Sequence, residues 1–438
     1  MRFLPRVPLY SAVVATAMAG TVLFASAPAQ AQDWNTPYAP EEDQLACSPP
    51  ANEGDTLSGS SWARDFIAID EAHQYNQGTY SNGDPVVIAV IDTGVEATRT
   101  DVFNDRILDG FDPWTPSSKG KCDAFMHGTA VAALAAGGAD GTQFIGVAPK
   151  ANILPLKAYV DDSSGGDAEK ASVVGSLVDD AVAHGADVIN ISIALPDHPN
   201  LKRAVDDAIA AGVVIVAATG NDGVNMDDPN VEADKRTFYP ANYPNVIAVG
   251  GNTQDGLWYG KTNYGENLDL LAPGVNVVVP YAGGGWFADQ GTSYAAPFVA
   301  GAAALLKGHF GKDTSPEWIE QRLRDTAIQP TNDFNIWQGY GVLNVGNALT
   351  ASTEVTDEGP SDDETAGPME NPSTIAAMDI EYDPLATEKT IAWASVGGSI
   401  VLITLVLVLR KIIPMGRTRG WRPGSRRREQ ALATVESD

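Results

Sequence analysis

Four segments of this sequence hold residue types that do chemistry, at places where a chain positions chemistry. Asp92 ends the apolar run Val86-Val87-Ile88-Ala89-Val90-Ile91 and precedes Thr93-Gly94. An Asp there sits at the carboxyl end of a buried strand, where functional groups of α/β sheets gather. His127 opens His127-Gly128-Thr129-Ala130-Val131-Ala132, an Ala-rich helix able to pack closely. Asn221 lies in Ala217-Ala218-Thr219-Gly220-Asn221-Asp222-Gly223, after the strand Val213–Ala218, and offers a neutral N–H donor. Ser293 lies in Gly291-Thr292-Ser293-Tyr294-Ala295-Ala296-Pro297, a glycine-containing loop running into a long apolar helix. Free N–H groups and the helix dipole favour negative charge there. A hydroxyl, an imidazole, a carboxylate and an amide donor are groups that nucleophilic catalysis combines.

Each segment alone has an ordinary reading. Aspartic proteases also carry Asp-Thr-Gly, but they need two such aspartates sharing a proton. This chain has one, in β/α surroundings. A lone His is usually structural, and there are five: His73, His127, His184, His198 and His309. Of these, His184 closes a helix before Gly185, where it meets the C-terminal dipole. Thr292 or Ser293 fits an N-cap, and Pro297 falls in the first turn of the helix Tyr294–Phe310. Asn221-Asp222-Gly223 fits a turn. Together, in the order Asp, His, Asn, Ser and with their flanks, the segments are far more specific than any one.

They resemble the subtilisin-like serine proteases (the subtilase family) over roughly residues 62–350, with Gly-Thr-Ser-x-Ala-x-Pro the most diagnostic piece. The resemblance implies an endopeptidase. Ser293 Oγ attacks the scissile carbonyl, His127 takes its proton and passes it to the leaving amine, and Asp92 holds the imidazole. Asn221 and the Ser293 N–H bind the oxyanion, and loss of such a donor costs about 10²–10³ in kcat in subtilisin itself. Ile191-Ser192-Ile193-Ala194 looks like the family's substrate-aligning segment, which pairs with a peptide as an added strand. Ser192, Ile193 and Ala194 are therefore the substrate-binding candidates. Ala194 stands where subtilisins often have Gly, which bears on the first specificity pocket. No metal-ligand loop is legible and no cofactor is assigned.

These groups need a scaffold. Strands are expected at Val86–Ile91, Ile153–Tyr159, Val188–Ile193, Val213–Ala218, Val246–Val249 and Val277–Val279. Helices are expected at Thr129–Ala136, Ser172–His184, Leu201–Ala211, Tyr294–Phe310 and Pro316–Thr326. Continuous Val/Ile runs alternating with helices point to an α/β fold, a doubly wound parallel sheet flanked by helices. Asp161–Lys170 and Asp222–Arg236 read as surface insertions.

The chain has 438 residues, 44% hydrophobic and 19% charged, which excludes wholesale disorder and fibrous repeats. With 28 basic and 56 acidic residues, the net charge of −28 opposes a nucleic-acid role. The two ends differ from the average. Arg2 and Arg6, an apolar small-residue stretch and Ala29-Gln30-Ala31 read as a signal peptide over 1–31. Residues 32–61 read as an extended arm. Acidic, Pro-containing 351–390 reads as a linker. The uncharged run 391–409 is long enough to span a bilayer, roughly 28 Å as a helix. Basic 410–438 then reads as cytoplasmic, which places the rest outside the membrane. Cys47 and Cys122 are the two cysteines, and outside the cytosol an even count suggests one disulfide.

This layout resembles that of the mycosins, the membrane-anchored subtilases associated with type VII secretion. The resemblance implies protein or peptide substrates, a secretion membrane complex as partner, and an arm that wraps the catalytic domain. Two other jobs stay open: a general surface-degrading subtilase, and a scaffold subunit that holds a secretion complex together.

Overall fold

The computed structural model describes residues 48–49, 51, 54–57, 61–139, 143–159, 167–232, 236–330 and 333–352. The signal peptide, Cys47, most of the arm, the linker beyond 352, the apolar run 391–409 and the basic tail lie outside the described residues.

In chain order the elements are α1 (Trp62–Phe66), α2 (Ile69–Ala72), β1 (Val87–Asp92), α3 (Thr100–Phe103), α4 (His127–Ala136), β2 (Asn152–Lys157), α5 (Asp167–Ala183), β3 (Val188–Ile191), α6 (Pro199–Ala210) and β4 (Val214–Ala218). Then come β5 (Ile247–Asn252), β6 (Leu270–Pro273), β7 (Val277–Pro280), β8 (Trp286–Asp289), α7 (Thr292–Phe310), α8 (Pro316–Asp325) and α9 (Val345–Thr350).

Six strands form a sheet ordered β2-β1-β3-β4-β5-β6, and every neighbouring pair is parallel. Both faces are covered, as the continuous Val/Ile runs require. In β1, Ile88 and Val90 pack with α4 and α7 on one face, while Ala89 and Ile91 pack with α5 and α6 on the other. Among the core helices, α7 is apolar on all sides and buried from Thr292 through Gly308. Such a helix belongs inside a domain. The small side chains of α4 let it lie against α7 and β1.

The chain leaves β1 for β2 on one side and returns as β3 on the other. That reversal opens a crevice at the carboxyl ends of β1 and β3. Asp92 closes β1, Ser192 follows β3, and Thr219-Gly220-Asn221 follows β4.

Three expectations need correction. Val277–Val279 does not join the parallel sheet: β7 pairs antiparallel with β8 in a separate ribbon. The ribbon turns through Gly284 and Gly285, both at positive φ, and Asp55 of the arm bridges to Trp286 beside it. Helices α4, α6 and α7 begin two residues earlier than read, at His127, Pro199 and Thr292, and α5 begins five earlier, at Asp167, so that it takes in the end of the Asp161–Lys170 segment read as an insertion. Finally, β6 and β8 went unread, because neither Leu270–Pro273 nor Trp286–Asp289 holds a β-branched residue to mark it as a strand. Among the described residues no helix is long and apolar enough to cross a membrane.

Candidate active site

Asp92 is fully buried at the end of β1. Its Oδ1 accepts the Thr93 N–H at 2.8 Å and faces His127 Nδ1 at 2.8 Å, with the Tyr159 hydroxyl at 3.4 Å. A carboxylate only accepts, so Nδ1 carries the imidazole proton and proton exchange with a hydroxyl falls to Nε2. His127 is the first residue of α4. Met126 before it adopts φ 81°, a turn that swings the ring towards the strand end. The Tyr294 ring stands beside the imidazole, centroids 5.4 Å apart. Burial, and then Asp289, which accepts from its hydroxyl at 2.6 Å, raise the Tyr294 pKa far above the usual phenol range. Tyr294 is thus a neutral wall.

Ser293 is the second residue of α7. The N-cap is Gly291 and no side chain caps the helix, so neither Thr292 nor Ser293 plays that ordinary role. A Cβ on Gly291 would lie 3.3 Å from Ser293 Oγ and 3.5 Å from Asn221 Nδ2. The hydroxyl and the amide donor therefore surround one point, which the bare glycine leaves open.

Pro297 sits in the second turn of α7, not the first, because the helix starts at Thr292. It has no N–H to give the carbonyl four residues back, which is that of Ser293. Ser192 Oγ donates to that carbonyl instead, at 2.9 Å, and itself accepts from Asn190 Nδ2 at 2.9 Å. A hydroxyl from the end of β3 thus completes the first turn of the Ser293 helix. Ile193 and Ala194 follow, half-buried and in no strand or bridge among the described residues, before Leu195 bridges to Tyr239.

Asn221 is exposed, and its amide is oriented. Oδ1 accepts the Thr292 N–H at 2.8 Å, which leaves Nδ2 as the outward donor. Asn263, fully buried, holds this turn from behind. Its Nδ2 donates to the Thr219 carbonyl at 2.9 Å, and its Oδ1 accepts from the Asp222 and Val224 N–H groups at 3.1 Å. Gly220, at φ 100°, leaves no room for a Cβ, which would stand 2.5 Å from Asn263 Nδ2.

A second buried carboxylate, Asp123, stands behind His127. Its Oδ1 accepts from Thr93 Oγ1 at 2.9 Å, Phe125 N–H at 3.0 Å and Met126 N–H at 2.8 Å. Its Oδ2 accepts from Thr129 N–H at 2.8 Å and Thr129 Oγ1 at 2.6 Å. The Gly128 N–H goes to Thr93 Oγ1 at 2.8 Å. Orphan donors at the start of α4 thereby find partners. Cys122, also buried, precedes Asp123, and its carbonyl accepts from Lys157 Nζ at 3.2 Å.

The fold brings Asp92 and His127 into contact and gathers Ser293 and Asn221 around Gly291, with Ser192 tied to Ser293. Thr93, Asp123, Thr292 and Asn263 are supporting residues that the sequence reading missed. Their sequence signal is slight: each is a polar residue close to a glycine or to one of the four.

A family model described as "Subtilase family" matches residues 83–361. Subtilisin NAT of Bacillus subtilis subsp. natto is 35% identical over 265 residues, which cover 60% of this chain and 65% of that one. The chain thus spans about 65% of the length of that curated relative. Among solved structures, MycP1 from Mycobacterium smegmatis matches with a TM-score of 0.60 and 26% identity, over 77% of this chain and all of that one. Another, described as a serine protease MycP1, an essential component of the type VII (ESX-1) secretion system, matches with a TM-score of 0.59 and 29% identity. It covers 74% of this chain and 96% of that one.

Proposed function

This chain belongs to the subtilase family, and from that membership we propose that it is a serine endopeptidase whose triad is Asp92, His127 and Ser293. The observation that carries the reading is the buried Asp92 Oδ1 at 2.8 Å from His127 Nδ1, with Ser293 Oγ and Asn221 Nδ2 around the point opposite Gly291. Ser293 Oγ attacks the peptide carbonyl as His127 Nε2 takes its proton. The tetrahedral oxyanion meets Asn221 Nδ2 and the Ser293 N–H. His127 then protonates the leaving amine, and water hydrolyses the acyl-enzyme by the same steps. The peptide lies along Ser192-Ile193-Ala194 as an added strand.

The setting proposed is the outer face of a membrane, as a mycosin-like component of a type VII secretion system. The uncharged run 391–409 followed by a basic tail supports anchoring with the catalytic unit outside. The likeness to the MycP1 structures supports the secretion link. A Cys47–Cys122 disulfide would tie the arm to the loop before His127.

A second reading, a scaffold subunit, follows from the same layout. Replacing the chromosomal copy with Ser293→Ala, beside a gene deletion, separates the two by proteomics of medium and envelope. Accumulation of the same uncleaved proteins in both strains supports proteolysis. Loss of secretion in the deletion alone supports the scaffold.

A further inference from the structure

We propose that Asp123 is a positioning residue for the reaction, a clamp that sets the distance between Asp92 and His127. This rests on the reading of those two residues as the acid–base pair. The geometry has two halves. Through Thr93 Oγ1, at 2.9 Å, Asp123 holds the residue that follows Asp92 at the end of β1. Through the N–H groups of Phe125, Met126 and Thr129 and the Thr129 hydroxyl, it holds both sides of His127. Thr93 closes the loop: its N–H donates to Asp92 Oδ1, and its hydroxyl oxygen accepts the Gly128 N–H next to His127.

Every partner of Asp123 is a donor, and Asp123 is fully buried. Five accepted hydrogen bonds suit a carboxylate and no other side chain of that size. Asn would turn an NH₂ towards at least one donor. Capping by Asp123 itself would need only the Thr129 N–H; the bond to Thr93 reaches across to the end of β1, and Thr93 Oγ1 in turn accepts the Gly128 N–H of α4. That extra bond fixes strand end and helix start relative to each other. A misplacement of about 1 Å between catalytic groups costs on the order of 100-fold in rate.

The test uses the full-length chain in detergent, with active sites counted by serine-directed titration and a chromogenic peptide as substrate. Asp123→Asn lowers kcat per titrated site by about 10- to 100-fold and leaves KM within about twofold. Thr93→Val, which keeps the bonds of Asp123 to Thr129 but removes the acceptor of the Gly128 N–H, also lowers kcat. The double variant is no slower than the slower single one, because both cut the same link. Asp123→Glu does not restore the rate. If Asp123→Asn fails to fold, Thr93→Val carries the test alone. Unchanged kcat per titrated site with only a lower unfolding midpoint overturns the clamp and leaves a structural cap. A wild-type chain that neither cleaves peptide nor titrates sinks the peptidase reading instead.

Discussion

Asp92 Oδ1 stands 2.8 Å from His127 Nδ1, although the two residues are 35 positions apart. One closes β1, beside the crossover of the sheet; the other is the first residue of α4. Asp92→Asn keeps the shape but presents a donor to a ring nitrogen that already carries a proton, so the imidazole turns or changes tautomer. Steady-state kinetics should show kcat about 10⁴-fold lower, with a much smaller change in KM. A loss below tenfold would deny Asp92 its orienting role.

Asn221 invites a comparison of two replacements. Asn221→Ala removes the oxyanion donor and also the acceptor for the Thr292 N–H, and should lower kcat about 10²–10³-fold. Asn221→Asp keeps that acceptor, removes the donor and sets a negative charge beside the oxyanion. Its loss of kcat should be at least as large. A near-normal Asn221→Asp enzyme would mean that the residue merely shapes the turn.

Ser192 and Pro297 form a matched pair. Ser192→Ala strips the Ser293 carbonyl of the hydroxyl that serves it, at a cost of about 1–3 kcal/mol for a buried acceptor left unsatisfied. Pro297→Ala returns an N–H to that carbonyl. In the Pro297→Ala background, Ser192→Ala should therefore cost measurably less in denaturant unfolding. Additive effects would break the link.

His73 should couple stability to pH. Burial holds its pKa below the ordinary 6.5, against the pull of its bond to the Val147 carbonyl, 2.8 Å from Nε2. The neutral ring thus favours folding in full above pH 6.5. That contribution is lost as pH falls below 6.5 through the lowered folded value, because the unfolded chain takes the proton first. Denaturation midpoints should drop over this range, and His73→Gln should flatten the drop. An equal slope in both proteins would assign it to other groups.

The segments of the proposed triad stood out in the sequence because each is local: a strand run ending in Asp92, a helix opening with His127, a glycine loop before Ser293. The long Val/Ile strands were legible for the same reason. Direction of pairing was not. Nothing within Val277–Val279 says that its partner is Trp286–Asp289, a short strand with an exposed Ala288 and an acidic end. Supporting groups were hidden by distance. Asn263 reaches a carbonyl 44 positions away, and Asp123 reaches Thr93 across 30. Such residues read as ordinary polar surface until the fold delivers their partners. Pro297 was misplaced by two residues, and with it the reason that Ser192 is tied to Ser293.

If Ser293 is a nucleophile activated by His127, it should react with reagents selective for such serines. The most direct measurement treats the full-length chain with a fluorophosphonate and maps the adduct by mass spectrometry. One adduct is expected, on Ser293, formed in the wild type and lost in His127→Ala. No adduct on the folded wild-type protein, or equal labelling of Ser293 without His127, would contradict it.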